Sequence, residues 1–212
     1  MTRRGILVAL GLACAGCGGS SARKGPYLAA GYRPDSTNLV SLAITPPPIP
    51  GELGNRIDIG LSTIFTDTPG CRILGRADAA RQRMNVDHTL VLTMNKILDA
   101  EHEPKSPSLR PLLNPKELES LVQAMEAADL LLVPGDFHLR STSSRAFGRH
   151  IFRVYDLKTG ELLLQDTVQQ EVKMGGPAGE RQVATEIIIR VQREFARYLL
   201  PGFRIGPRED DR

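Results

Sequence analysis

Apolar positions change their period several times along this chain, and each change marks an expected element. Residues 39–44 form a short apolar run closed by Pro46, Pro47, Pro48 and Pro50, as expected for a buried strand stopped by residues that lack an amide donor. Leu53, Ile57, Leu61, Ile64 and Phe65 then recur mostly at steps of three and four, which predicts a helix over 52–65. Pro69-Gly70 ends it, 71–74 reads as a second strand, and 78–84 as a short polar helix. Alternation and β-branched residues over 89–98 predict a third strand. Asn114-Pro115-Lys116-Glu117 combines a capping side chain, a proline for the first turn and a glutamate three residues on, so a helix starts there with Leu118, Leu121, Val122 and Met125 on its apolar face. A strand at 130–133 bends at Pro134-Gly135 and continues through Phe137 and Leu139, and 141–149 reads as a polar loop. Residues 151–157 and 161–172 flank Lys158-Thr159-Gly160 and predict a hairpin. After Gly175-Gly176-Pro177, the spacing of Val183, Ile187, Ile188, Val191, Phe195, Tyr198 and Leu199 predicts a closing helix up to Pro201. The fold class that follows is α/β: a mixed β-sheet covered by about three main helices, one domain, ending in a β-hairpin and a long helix.

The ends of the chain follow another logic. Arg3 and Arg4, an apolar run from Ile6 to Ala13, and the small residues Ala15-Gly16 before Cys17 stand in the order of a secretory leader. The run is too short for a membrane-spanning helix, which needs about 20 apolar residues. With Gly18-Gly19-Ser20-Ser21 after the cysteine, the segment resembles a bacterial lipoprotein leader. That resemblance implies lipidation of Cys17, which becomes the first residue of the mature chain. Gly11-Leu12-Ala13-Cys14 is a competing, weaker acceptor, and an ordinary cleaved signal is the plain alternative. Two or more acyl chains hold a protein stably on a bilayer without a spanning segment. Residues 1–16 are then the signal peptide, 17–38 a lipid-anchored flexible linker, 39–201 the α/β envelope domain and 202–212 a disordered tail. A flexible linker of about 20 residues spans about 25 Å. Gly18 in place of Asp after the cysteine implies, by the sorting seen in many lipoproteins, the outer membrane facing the periplasm.

Charge alters this picture little. The chain has 27 Lys/Arg and 24 Asp/Glu, a net +3 that drops to +1 once the two arginines of residues 1–16 are removed. With no basic run interleaved with aromatics, a nucleic-acid partner is not expected. Cys71 is the one cysteine outside the leader region, so acylation of Cys17 leaves no internal disulfide, and Cys71 reads as a buried small hydrophobe at a strand start or as a free thiol.

Three further segments carry a second resemblance: Gly75-Arg76-Ala77-Asp78, Ala128-Asp129 leading through Leu-Leu-Leu-Val-Pro to Gly135, and Asp156-Leu-Lys-Thr-Gly-Glu161. In their order along the elements they resemble the envelope lipoprotein domain shared by the curli secretion channel subunit, the lipoprotein activators of penicillin-binding proteins and the amino-terminal domain of TolB. The resemblance covers about residues 39–200 and implies a protein-binding or assembly role. The stretch 85–113 is longer than that group's usual connection. A curli-like pore would need long alternating strands with aromatic girdles. The chain has ten Phe and Tyr residues in all and only Phe147 within 141–149, which disfavours a pore.

No residue set reads as catalytic. Asp99, Glu101, His102 and Glu103 offer metal-type donors, but neighbours in an extended segment point to opposite faces and no second cluster completes the ligands, so a solvated loop is expected. His88, His138 and His150 read as surface or strand-edge residues, and Glu161 and Asp166 as facing opposite sides. Ser141, Ser143 and Ser144 lack a nucleophile elbow. Gly175 to Gly179 lacks the Lys-Ser/Thr of a phosphate loop and reads as a helix start. The expectation is a lipid-anchored, non-enzymatic envelope protein without a cofactor, bound to a membrane and to an envelope protein. Its partner surface is expected at Ser141, Ser144, Arg145, Phe147 and Arg149, or along a strand edge at 89–98. An oligomeric secretion or channel component and, less favoured, a metal-dependent enzyme or ligand carrier stay open, as does the oligomeric state.

Overall fold

The computed structural model describes residues 26–30, 32, 39–49, 51–74, 88–99, 108–110, 112–126 and 128–200. Cys14 and Cys17, the segment 75–78, the expected helix at 78–84, Glu101, His102, Glu103 and the tail 202–212 lie outside them. Strands β1 (Tyr27–Leu28), β2 (Val40–Ile44), β3 (Cys71–Ile73), β4 (Leu130–Ser141), β5 (Ala146–Asp156) and β6 (Leu162–Val172) form one sheet in the order β1-β6-β5-β4-β2-β3. β4, β5 and β6 are an antiparallel meander extended by β1, whereas β2 runs parallel to both β4 and β3, so the sheet is mixed.

Among the described residues, four helices flank it: α1 (Gly51–Thr66), α2 (His88–Asp99), α3 (Pro115–Ala124) and α4 (Gly176–Leu199). Alternate residues of the central strands divide between two cores. Leu42, Ile44, Leu130 and Leu132 face α1 and α4, where Ile57, Leu61, Val183, Ile187, Val191 and Phe195 bury. Ala43, Leu131 and Val133 face α2 and α3 with Leu90, Met94, Ile97 and Leu121. A strand buried on both faces needs an unbroken apolar run, which is what 130–133 supplies. Phe65 and Phe195 meet edge to face, centroids 5.0 Å apart, and tie α1 to α4.

The expected cap of α3 is present in both directions: Asn114 Oδ1 accepts from the Glu117 amide at 2.9 Å, and the Glu117 carboxylate accepts from the Asn114 amide at 3.0 Å. β4 shifts register between Pro134 and Phe137, where proline has no amide for the ladder.

Two of the expected segments between 89 and 149 take another form. Residues 89–98 are not a strand but lie within α2, so there is no strand edge at which a partner could pair. Leu90, Met94 and Ile97 are buried at helical spacing while Leu92 is half exposed. Alternation would have put Leu90, Leu92 and Met94 on one face, and the second core accepts only the helical set. The expected loop at 141–149 is mostly sheet, because Ser141 pairs with Ala146 and the ladder continues through Arg149, leaving only 142–145 as the turn.

The helical assignment of α2 predicts a contrast between two neighbours. Leu92→Asn should change the unfolding free energy by under about 0.5 kcal/mol, whereas Met94→Ala should lower it by about 2–5 kcal/mol. Urea titration of both variants checks this, and equal losses would restore the strand.

Candidate functional site

The hairpin that joins β4 to β5 is held from its backbone outwards. The Thr142 amide donates to the Arg145 carbonyl at 2.8 Å, and Thr142 Oγ1 accepts from the Arg145 amide at 3.1 Å. The turn docks on the start of α4, where the Gly176 amide donates to the Thr142 carbonyl at 3.1 Å. A Cβ on Gly175 would lie 2.0 Å from that carbonyl oxygen, so only glycine permits the approach. Arg145 pairs with Glu171 of β6 at 2.9 Å, closing the turn from the other side.

Beyond the turn, side chains alternate between two very different settings. Ala146, Gly148 and His150 point beneath α4, and Phe147 and Arg149 point away from it, exposed. Register places Arg140, Phe147 and Glu171 in one row across β4, β5 and β6, and His138, Arg149 and Gln169 in the next. Of the residues expected to meet a partner, Arg145, Phe147 and Arg149 therefore share this end of the sheet. Arg140 and His138, which sequence reasoning did not select, complete the surface. Only knowledge of the β4–β5 register could have found them. The surface presents guanidinium groups, an imidazole and a phenyl ring, suited to anionic and apolar groups. Ser141 Oγ lies 3.3 Å and 3.5 Å from the Thr142 and Gly176 carbonyls, acceptors that cannot remove its proton, so it is no activated nucleophile.

The Ala128-Asp129 and Asp156–Glu161 segments meet at the opposite end of the meander. Asp129 Oδ2 accepts from the Ser41 amide at 3.1 Å, Lys158 Nζ lies 3.0 Å from Oδ1, and the Leu157 amide donates to the Asp129 carbonyl at 2.9 Å. Burial pushes this carboxyl upward, but the bonds from Ser41 and Lys158 outweigh it and hold the group below the usual aspartate range. Asp156 Oδ1 accepts from the Lys158 and Thr159 amides, and Gly160 supplies the positive φ of 72° that the turn requires. This cluster locks β2 and β4 to the β5–β6 turn and is architectural.

His150 departs from its expected place at the surface. It is 1% exposed, with its ring beside Phe137 and Nδ1 3.1 Å from the Asp136 carbonyl. Facing a carbonyl, Nδ1 must carry the proton, which leaves Nε2 a bare acceptor with no partner among the described residues. Burial pushes its pKa down to about 4, against a smaller upward pull from Asp136. His138 is exposed, 3.7 Å from Asp136. Asp99 closes α2, and among the described residues no group of three or more His, Cys, Asp or Glu is placed to hold a metal. Cys71 is half-buried rather than buried, and burial pushes its thiol up to about 12, where it is a poor nucleophile. No described helix is long and apolar enough to cross a membrane.

No family model matches the sequence, and no curated protein matches it. Among solved structures, the PelC dodecamer of Paraburkholderia phytofirmans is similar with a TM-score of 0.44 and 11% identity, over 80% of this chain and 93% of that one. A hypothetical protein of Chlamydia trachomatis gives 0.41 and 12%, over 72% of this chain and 96% of that one. The lipoprotein GNA1162 of Neisseria meningitidis gives 0.40 and 15%, over 74% and 99%. With TM-scores below 0.5 these are partial likenesses of shape, and no activity follows from them.

Two predictions arise here. Gly175→Ala should cost about 3 kcal/mol of unfolding free energy through the clash with the turn, while Ser144→Ala stays within about 0.5 kcal/mol, both read by urea unfolding. For His150, the folded pKa lies below the unfolded value of about 6.5, so the unfolded state binds the extra proton and stability falls as pH drops from about 6.5 to about 4. The total is about 3 kcal/mol. His150→Leu should abolish this part of the slope in unfolding curves taken across that range, and an unchanged slope would remove His150 as its source.

Proposed function

We propose that this chain is a lipid-anchored, non-enzymatic protein of the bacterial cell envelope whose α/β domain binds another envelope protein through the β4–β5 end of its sheet. The observation that carries the binding role is the fixed presentation of Phe147 and Arg149. Both are exposed on a strand whose alternate residues are buried beneath α4, next to a turn that Gly175 and Glu171 hold in place. The backbone of this surface is already held in the sheet, so association has only its side chains to order, which lowers the entropic cost of binding. Arg140 and Arg149, without an ion-pair partner among the described residues, would meet acidic groups, and Phe147 would supply the apolar contact.

Attachment rests on the order of residues from Arg3 to Cys17, with Cys17 as the acyl acceptor and Gly18 directing the protein to the outer membrane, domain on the periplasmic side. The resemblance to the curli, penicillin-binding-protein activator and TolB group belongs to the same reading. Two of its three segments, at Asp129 and at 156–161, meet through the Lys158 bridge.

Labelled palmitate incorporated in a bacterial host tests the attachment: label should persist in Cys14→Ser and vanish in Cys17→Ser, and absence from the unmodified chain would defeat the anchoring. For the binding surface, a photo-crosslinking residue at Phe147 should yield a discrete envelope adduct that Arg149→Glu reduces. The same group at Ile59, exposed on α1, should yield none, and equal adducts from both positions would sink the assignment.

A further inference from the structure

The expected linker extends to residue 38, but the structure captures the chain much earlier. Tyr27 pairs with Gln165 and Leu28 with Leu164, the Ala29 amide donates to the Leu163 carbonyl at 2.8 Å, and Ala29 and Tyr32 pack on the α4 side of the core. Only about ten residues therefore separate Cys17 from the sheet, and fully extended they reach at most about 35 Å. The attachment point lies at one edge: β3, the opposite edge, is five strands away, about 24 Å, and the Phe147 row is six β6 residues from the Tyr27 row, about 20 Å.

From this geometry, and resting on the lipidation of Cys17, we infer that the β1–β6 edge is the side of the domain that lies against the bilayer, with Tyr27 and Leu28 at the level of the lipid headgroups. Three observations select a lipid surface as the occupant. The anchored residue is nearer along the chain to this edge than to any other described element. Tyr27 and Leu28 are consecutive, 46% and 41% exposed, and pair an amphipathic ring with an aliphatic side chain, a combination suited to the water–hydrocarbon boundary. The edge is also poorly suited to pairing with a strand of a second copy. The Leu163 carbonyl faces β1, so backbone groups at odd positions of β6 point outward, and beyond β1 several already have partners. The Asp166 carboxylate accepts from the Thr167 amide at 2.7 Å, the Arg190 guanidinium donates to the Gln169 carbonyl at 3.3 Å, and the Gln170 side chain donates to the Glu171 carbonyl at 3.4 Å. The acyl chains supply the affinity and the edge supplies the orientation, which turns the Phe147 row about 20 Å along the strand from the contact.

The chain contains no tryptophan, so one introduced residue reports on its own surroundings. The full chain, acylated in a bacterial host, is reconstituted into phosphatidylcholine vesicles with and without brominated acyl chains as Tyr27→Trp, Leu28→Trp or Phe147→Trp. Flotation and acyl labelling are read on each sample. Emission from Tyr27→Trp and Leu28→Trp should shift to the blue and fall about twofold with brominated lipid, as for a ring at the headgroup level, and that from Phe147→Trp should not change. Acylated, floating protein with no quenching at either edge position overturns the orientation and leaves the anchor intact, as does stronger quenching at Phe147→Trp. Chain that is neither labelled nor floating removes the anchor, and the orientation with it. A blue shift without vesicles, accompanied by a doubled mass, assigns the edge to a second copy and overturns the inference.

Discussion

The close seating of α4 on the β4–β5–β6 meander is the constraint on which the rest of the structure depends. A Cβ on Gly148 would lie 2.4 Å from Val183 and 2.7 Å from Ile187, and one on Gly179 would lie 2.0 Å from the Met174 carbonyl oxygen and 3.0 Å from Ala146. Small residues at these points let the helix descend until Val183, Ile187, Val191 and Phe195 reach the sheet, each burial stabilising by about 1.5–3 kcal/mol. Phe195 carries the contact on to Phe65, so α1 is positioned through α4. Gly175 extends the same close approach to the β4–β5 turn. The exposed residues Phe147 and Arg149, in adjacent rows, thus stand on backbone positioned by a helix that packs on the opposite face.

The other face of the sheet is organised differently. α2 and α3 cover it only where Leu131, Val133 and Tyr155 supply an apolar floor, and Lys96 pairs with Glu117 between the two helices. Beyond the register shift at Pro134, the outward residues of β4 and β5 become His138, Arg140, Phe147 and Arg149. Among the described residues, the sheet therefore has a covered end, locked by Asp129, Ser41 and Lys158, and an end with no helix over this face. The polar lock tolerates partial exposure because its carboxylate is fully bonded. At the other margin of the sheet, β6 pairs with Tyr27 and Leu28 and so fixes the first described strand at that edge.

Much was legible where the cause is local. The Asn114–Glu117 cap, the Gly160 turn and the 3.6-residue spacing from Val183 to Leu199 depend on neighbours within a few residues, and each element formed as its residues dictate. The misreadings share one origin, since each involves a contact distant in sequence. Residues 89–98 satisfy two periodicities, and the second core chose between them. Ala146, Gly148 and His150 lack the apolar pattern of a strand, because their face of β5 is filled by α4 and not by their own side chains. His150 looked like a surface residue until α4 and Phe137 enclosed it.

The sequence by itself determined the α/β class and the positions of the turns and of most helices, because capping, proline and glycine geometry and hydrophobic period act within one segment. Tertiary structure alone decided the strand order β1-β6-β5-β4-β2-β3, the helical state of α2, the alignment of Arg140 with Phe147 and the pairing of Tyr27 and Leu28 with β6. These depend on which distant backbone groups pair and on where a helix can approach a sheet closely, and no local pattern encodes that choice.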